Sequence, residues 1–101
     1  MKQKLIKARN LISSPENWTQ GANARDKHNK KVWMRDEEAV KFCAIGAVFK
    51  VNDYEPNESF PMHRALRLAL PHGGALAKFN DSSTHAEVLA LFDKVISEIE
   101  E

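Results

Sequence analysis

The chain has 101 residues, of which 43% are hydrophobic and 29% are charged, and its formal net charge is +1. This composition is typical of a globular protein and excludes collagen-like, disulfide-rich and intrinsically disordered classes. The first residues lack the apolar run of a signal peptide, and no stretch of about 18 apolar residues is present, so no membrane partner is expected. The single cysteine, Cys43, is typical of a reducing compartment. We predict one cytoplasmic domain over residues 1–101.

Charge is distributed unevenly along the chain. Residues 1–50 carry eleven Lys or Arg against five Asp or Glu, and residues 51–101 carry four against nine. Such a chain can present a positive face although its net charge is close to zero. Folding can also bring the two halves together and cancel the difference.

The N-terminal third predicts one helix and a hairpin. Residues 2–12 place apolar side chains at helical spacing among lysines, and the Ser-Ser-Pro sequence that follows ends the pattern. Two short strands are predicted at residues 20–25 and 31–34, with a polar connection between them, so a small hairpin is expected. Trp18 and Trp33 are expected to pack this hairpin onto the helices, since large rings dominate core burial.

A second helix is predicted at residues 36–51. Asp36 is a favourable N-cap, and Glu37 and Glu38 suit the positive end of a helix dipole. Between residues 39 and 49 the only charged residue is Lys41. This helix is therefore expected to be the central and most enclosed element.

A third helix is predicted to follow a polar loop at residues 52–58. It is expected to open at Ser59, with Pro61 in its first turn, where a missing N–H costs little. A proline and two glycines at residues 71–74 end this helix.

The C-terminal segment predicts a turn and a last helix. Residues 75–79 are expected to be extended and residues 80–83 to form a turn, because Asn and Asp side chains bond their own backbone in turns. Thr84 and Glu87 have the spacing of a capping box, which predicts a final helix that continues almost to the end of the chain. The expected fold class is mainly α, a compact four-helix domain with a short β-hairpin.

Three segments carry a family resemblance. They are Trp18-Thr-Gln-Gly-x-x-Ala-Arg25, Phe42-Cys-Ala-Ile-Gly-Ala47 and Phe79-Asn-Asp-x-x-Thr-x-x-Glu-Val88. In this order and spacing the chain resembles a family of small proteins of unknown function from bacteria and their phages, over roughly residues 18–96. The resemblance implies a shared fold and a mobile-element origin, and it implies no activity. The chain departs from the usual member in its longer basic connection at residues 27–31.

One chemical interpretation is a cysteine hydrolase. Its residues would be Gln20, Cys43, His72 and Asn80 or Asp81, which follow the order of oxyanion donor, nucleophile, base and orienting group in papain-like enzymes. The reaction needs a thiolate, stabilised by an imidazolium or a helix N-terminus close to the sulfur.

The opposing interpretation places Cys43 in the core. If the second helix begins at Asp36, the sulfur lies about two turns inside it, beyond the reach of the dipole. The residues that would share its helix face are mostly small, and such a face lets another helix approach closely. They are Ala39, Phe42, Gly46 and Ala47.

Two groups of basic residues are candidate binding residues. Arg25, Lys30 and Lys31 lie near Trp33 in the sequence, and cations beside an aromatic ring are one ingredient of single-strand nucleic-acid binding. Arg25 is also expected to pair with Asp81 or Asp36, and Gly21 to adopt an unusual backbone angle.

The other group lies on the third helix. His63 and Arg67 form a basic stripe there with Arg64, which can meet a carboxylate or a phosphate or be a solvated face. The four histidines have no i, i+4 partner among themselves, and one cysteine cannot make a structural zinc site, so no metal or cofactor is predicted.

The favoured function is a non-enzymatic interaction module that binds a host protein or a second copy of itself. The charge asymmetry could steer such a partner. The hydrolase that uses Cys43 and His72, and a nucleic-acid or nucleotide binder that uses residues 25–35, stay as alternatives.

Overall fold

The computed structural model, which describes residues 1–99, consists mainly of helices and contains one small sheet. The helices of this part of the chain are α1 (Lys2–Leu11), α2 (Ala44–Val51), α3 (Pro56–Leu68), α4 (Leu76–Ser82) and α5 (His85–Glu98), with a short 3-10 helix at Pro15–Asn17. The strands are β1 (Ala24–Arg25), β2 (Lys31–Val32) and β3 (Lys41–Phe42). The prediction of a mainly helical fold is confirmed. The predicted four helices and two-stranded hairpin fall short by one α-helix and one strand of what residues 1–99 contain.

The predicted hairpin forms part of a three-stranded antiparallel sheet with the order β2-β1-β3. In its connection Asn29 adopts a positive φ of 67°, and the Asp26 carboxylate accepts backbone N–H bonds from His28 and Lys30 at 2.9 Å. Ala24 pairs with Val32 on one side and, on the other, with Phe42 of β3.

The prediction of a helix from Asp36 is wrong for its first two turns. The Asp36 carboxylate accepts the backbone N–H of Glu38 at 2.8 Å, and its carbonyl accepts that of Ala39 at 3.0 Å. Asp therefore closes a turn here, in competition with helix capping. The chain then pairs with β1 as β3, and the helix begins only after Cys43.

A fifth helix, α4, replaces the extended piece and the turn predicted at residues 75–83. Leu76 and Asn80, which lie one helical turn apart, are 1% and 0% exposed. Asn80 uses its side chain inside the protein rather than on its own backbone, and the turn that the residue types favour does not form.

The third helix begins at Pro56, three residues before the predicted start at Ser59. Pro56 occupies a first-turn position, where its fixed φ suits a helix. Pro61 consequently lies in the helix interior rather than in the first turn. Asp53 and Tyr54, in the tight connection before it, have positive φ.

The central position predicted for the second helix is confirmed for residues 44–51. Helix α2 packs against α1, α3 and α4, and the capping box at Thr84 and Glu87 opens α5 as expected. Each of the five α-helices contributes fully buried apolar side chains, and the residue after α1 adds another: Leu5, Ile12, Val48, Met62, Leu66, Leu76, Val88 and Phe92. None of the helices in residues 1–99 combines the length and the apolarity needed to cross a bilayer.

The backbone of another segment packs directly against α2 at Gly46. A Cβ atom at this position would overlap the Asn23 carbonyl oxygen and crowd the Phe42 ring. The close packing predicted for Gly46 is therefore present, and its partner is the loop before β1 rather than another helix.

Gly46→Ala should destabilise the protein by about 1–3 kcal/mol, because overpacking outweighs the better helix propensity of alanine. Urea unfolding followed by circular dichroism measures this difference. Ser97→Ala on the exposed side of α5 is the control and should stay within about 0.5 kcal/mol of the parent. A Gly46→Ala protein as stable as the parent would contradict the close approach.

Candidate functional site

Asn80 joins three segments that are far apart in the sequence. Its Oδ1 accepts the Trp18 indole Nε1–H at 2.9 Å and the Ala44 backbone N–H at 3.0 Å. Its Nδ2 donates to the Thr19 carbonyl at 3.0 Å and to the Asp81 carboxylate at 3.2 Å. Both lone pairs and both N–H groups of this fully buried amide are thereby used.

The loop after Trp18 is fixed on α4 by further hydrogen bonds. Gln20 Nε2 donates to the carbonyls of Asn80 at 3.0 Å and Ser83 at 2.9 Å. The Gly21 N–H donates to the Asp81 carboxylate at 2.9 Å, and the φ of Gly21 is 77°, which confirms its unusual backbone angle. The polar side chains of Gln20, Asn80 and Asp81 therefore form hydrogen bonds within the protein.

Arg25 does not form the ion pair predicted with Asp81 or Asp36. Its Nε donates to Thr19 Oγ1 at 2.8 Å, and its two terminal nitrogens donate to the carbonyls of Gln20 and Asn29 at 3.0 Å. The planar guanidinium has donors on several sides, so one side chain spans the loop and the hairpin connection. Neutral oxygens take the positions where carboxylates were expected.

Cys43 is the N-cap of α2, so the prediction that it lies two turns inside a helix is wrong. Its Sγ accepts the Gly46 N–H at 3.4 Å and lies 3.5 Å from Asn23 Oδ1. The side chain is 4% exposed. The helix face that it was predicted to share with Ala39 and Phe42 does not exist, because those two residues precede the helix.

Burial decides the protonation of this thiol. Desolvation raises the pKa of Cys43, and the charge of Asp81 raises it further, whereas the N–H groups of Gly46 and Ile45 act in the opposite direction. Because the net shift is upward, the thiol stays protonated at neutral pH.

His72 does not join the other candidate hydrolase residues. It is exposed in the connection between α3 and α4, where it borders an open cavity with Gly73, Phe79 and Glu87. Within residues 1–99 the Cys43 sulfur is hydrogen-bonded to Asn23 and Gly46.

Another histidine, His85, lies beside Trp18, whose indole is bonded to Asn80. His85 Nε2 is 2.7 Å from the Ile12 carbonyl, and its ring centroid is 5.2 Å from that of Trp18. This histidine therefore packs the start of α5 against α1.

The two tryptophans have opposite environments. Trp18 is half-buried beside Asn80, whereas Trp33 is 84% exposed. The prediction that both indoles pack the hairpin onto the helices is therefore wrong for Trp33. Lys30 and Lys31 next to it are exposed as well.

The basic stripe on α3 is divided between the surface and a partly buried position. Arg64 and Arg67 are exposed, whereas His63 is half-buried. Burial, and secondly the charge of Arg67, lower the pKa of His63. His63 is consequently neutral at pH 7 and adds no charge to the stripe.

Sequence reasoning missed the apolar part of this helix surface. Phe60 and Leu68 are 58% and 66% exposed. Their i, i+8 spacing with Arg64 between them is the signal that could have shown one mixed face. Within residues 1–99 no cluster of three or more His, Cys, Asp or Glu could hold a metal.

Asn80→Asp should cost about 3 kcal/mol of unfolding free energy at pH 7, since it places a carboxylate in the core and removes both amide donors. Burial and Asp81 would raise the folded-state pKa of the new carboxyl above the unfolded value of about 3.9. The loss should therefore be smallest below that pH and grow as pH rises through the folded-state pKa.

The control for this substitution is Asp81→Asn, which keeps an acceptor for Gly21 and should cost at most about 1 kcal/mol. Urea titrations of both variants between pH 3 and 8 make the comparison. A loss for Asn80→Asp that is independent of pH would show that the amide is not buried as described.

Cys43 should react with an aromatic disulfide reagent at pH 8 at least about a hundredfold more slowly in the folded protein than in urea, because access requires opening. The rate is followed by absorbance of the released thiolate. A fast native reaction with an apparent pKa below about 8.5 would contradict the buried thiol and favour the hydrolase.

Comparison with known proteins gives a family and no activity. Neither the curated proteins nor the solved structures contain a match to this chain. The family described as "Family of unknown function (DUF6197)" matches residues 1–98, almost the whole sequence. The chain therefore belongs to this family of unknown function.

Proposed function

We propose that this chain is a non-enzymatic protein-interaction module whose contact surface is centred on Trp33. The observation that supports this proposal is that the Trp33 side chain, of the largest residue type, is 84% exposed. Tryptophan is enriched among the residues that dominate binding energy at protein interfaces. A cytoplasmic location and a mobile-element origin stay predictions.

The backbone around Trp33 is fixed before any partner arrives. The Trp33 carbonyl accepts the Asp36 N–H at 2.9 Å, and the Tyr54 hydroxyl donates to the Met34 carbonyl at 2.6 Å. The Arg35 guanidinium lies over the Tyr54 ring, 4.9 Å from its centroid. Preorganisation of this kind lowers the entropy that binding must overcome.

The charges next to Trp33 favour a protein partner over a polyanion. Lys30, Lys31 and Arg35 precede or follow it closely, and the next three residues are Asp36, Glu37 and Glu38. Three cations and three carboxylates within nine residues give a mixed rim. A mixed rim of charge is typical of protein interfaces, whereas a nucleic-acid surface is strongly positive.

A second candidate is single-strand nucleic-acid binding at the same place. The exposure of Lys30 and Lys31 beside an exposed indole favours it, because bases stack on rings while cations contact phosphates. The buried, protonated Cys43 and the separate position of His72 give the hydrolase no comparable support.

A photo-reactive amino acid at position 31, in cells that naturally produce the protein, should give one discrete protein adduct. Trp33→Ala in the same chain should abolish that adduct and change the unfolding free energy by no more than about 0.5 kcal/mol, as expected for a surface residue. The photo-reactive residue at position 97 is the matched control and should give no such adduct.

The nature of the adduct separates the candidates. Mass spectrometry that identifies one protein, or a second copy of this chain, supports the module. A nuclease-sensitive adduct would replace it by the nucleic-acid binder. Adducts that survive Trp33→Ala, or no adduct at position 31, would overturn the assignment of Trp33.

A further inference from the structure

We infer that α3 binds an acidic amphipathic helix of a partner protein on a surface separate from Trp33. This surface, the α3 face, consists of Phe60, Pro61, Arg64, Ala65 and Leu68, which border a shallow depression of about 430 Å³. The inference goes beyond the proposed function, because it uses none of the hairpin residues.

The α3 face is apolar at both ends. Phe60 and Leu68 keep 58% and 66% of their surface exposed. They are eight residues apart on one helix, which places them about 12 Å from each other along its axis. Two apolar anchors at this separation match apolar residues repeated over two turns of a partner helix.

Phe60 is held in place by a second ring. The centroids of Phe60 and Phe49 are 5.5 Å apart, with the rings at 88° in an edge-to-face arrangement. This geometry is favourable for aromatic pairs. The anchor is therefore oriented in the free protein, although its outer surface meets solvent.

The charge at the α3 face is positive. Arg64 lies between the two anchors and is exposed, and Arg67 is exposed next to Leu68. At the C-terminal end of the helix, Lys94 Nζ donates to the Ala69 carbonyl at 3.3 Å. Glu58 borders a neighbouring cleft that shares Pro61 with the α3 face, and Lys4 lines that cleft with it. The complementary occupant therefore carries carboxylates around its apolar residues.

The same charge argues against a second copy of this chain as the occupant. Arg64 lies midway between Phe60 and Leu68 in the sequence. Two identical α3 faces in parallel or antiparallel contact would bring Arg64 against its own counterpart, and such like-charge contacts are unfavourable. A partner helix with acidic residues avoids this repulsion.

Pro61 adds a backbone acceptor to the α3 face. Because proline has no N–H, the carbonyl of Asn57 lacks its usual i+4 donor within the helix. Asn57 is exposed and lines the neighbouring cleft that shares Pro61 with the α3 face. A polar donor at the end of the partner helix can bond to this carbonyl.

The test uses two designed helical peptides with leucines at i, i+4 and i+8. One has glutamates flanking the leucines, and the other has lysines at the same positions. The full chain labelled with ¹⁵N is titrated with each peptide, and amide shifts are followed. The glutamate peptide should give saturable shifts at residues 60–68, and the lysine peptide should bind at least about tenfold more weakly.

Arg64→Glu tests the charge without touching the core. It should lower the affinity for the glutamate peptide by about tenfold. It should raise the affinity for the lysine peptide, since exchanging the charges on both partners restores complementarity. Leu68→Ser should lower the affinity for both peptides. Ser97→Glu on α5 is the control for added negative charge and should leave the affinity for both peptides unchanged.

Three outcomes would overturn the inference. The first is equal binding of the two peptides, which removes the acidic specificity. The second is shifts confined to the hairpin or no saturable shifts. The third is a dimer of the free chain, seen by sedimentation and broken by Leu68→Ser, which would make a second copy the occupant. Peptide binding at α3 without any adduct at position 31 would uphold this inference and remove the proposed function alone.

Discussion

The saturated amide of Asn80 is the constraint on which the rest of the structure depends. It is fully buried, and its four hydrogen bonds reach the Trp18 indole, the Thr19 backbone, the first residue of α2 and the neighbouring Asp81 carboxylate. Its orientation is unambiguous, because the indole and the backbone N–H can only donate and the Thr19 carbonyl can only accept. A buried polar group that loses one such partner costs about 1–3 kcal/mol, so these segments are held together as a unit.

The surface features follow from this arrangement. With the loop after Trp18 fixed on α4, β1 occupies the middle of the sheet, and the Asn23 carbonyl packs against Gly46 and encloses Cys43. The thiol is consequently a capping group for α2. The side chains of Gln20, Cys43, Asn80 and Asp81, whose order suggested a hydrolase, form hydrogen bonds within the protein. The large hydrophobic side chains that the fold leaves exposed include Trp33, directly after β2, and Phe60 and Leu68 on α3.

Local signals in the sequence predicted local structure well. The capping box of Thr84 and Glu87, the amphipathic first helix and the hairpin connection each depend on residues within one or two turns. The predictions failed where contacts with residues distant in the sequence determine the secondary structure. Asp36 closes a turn because β3 pairs with β1, and residues 76–82 are helical because Asn80 has partners 36 and 61 residues away. The three segments that carry the resemblance were visible, but only the fold shows that they meet at one amide. Residue type does not show that Trp33 or Leu68 is exposed, although the spacing of Phe60 and Leu68 could have indicated a shared helix face.

Hydrogen exchange of the two indole Nε1–H groups tests the central role of Asn80 most directly. Heteronuclear NMR resolves Trp18 and Trp33 in one sample, and both exchange rates are compared with the free energy of unfolding from urea titration. The Trp18 proton, bonded to Asn80 at 2.9 Å, should exchange only through global unfolding, while that of Trp33 should exchange as in a free indole. Equally fast exchange at both positions would contradict the account.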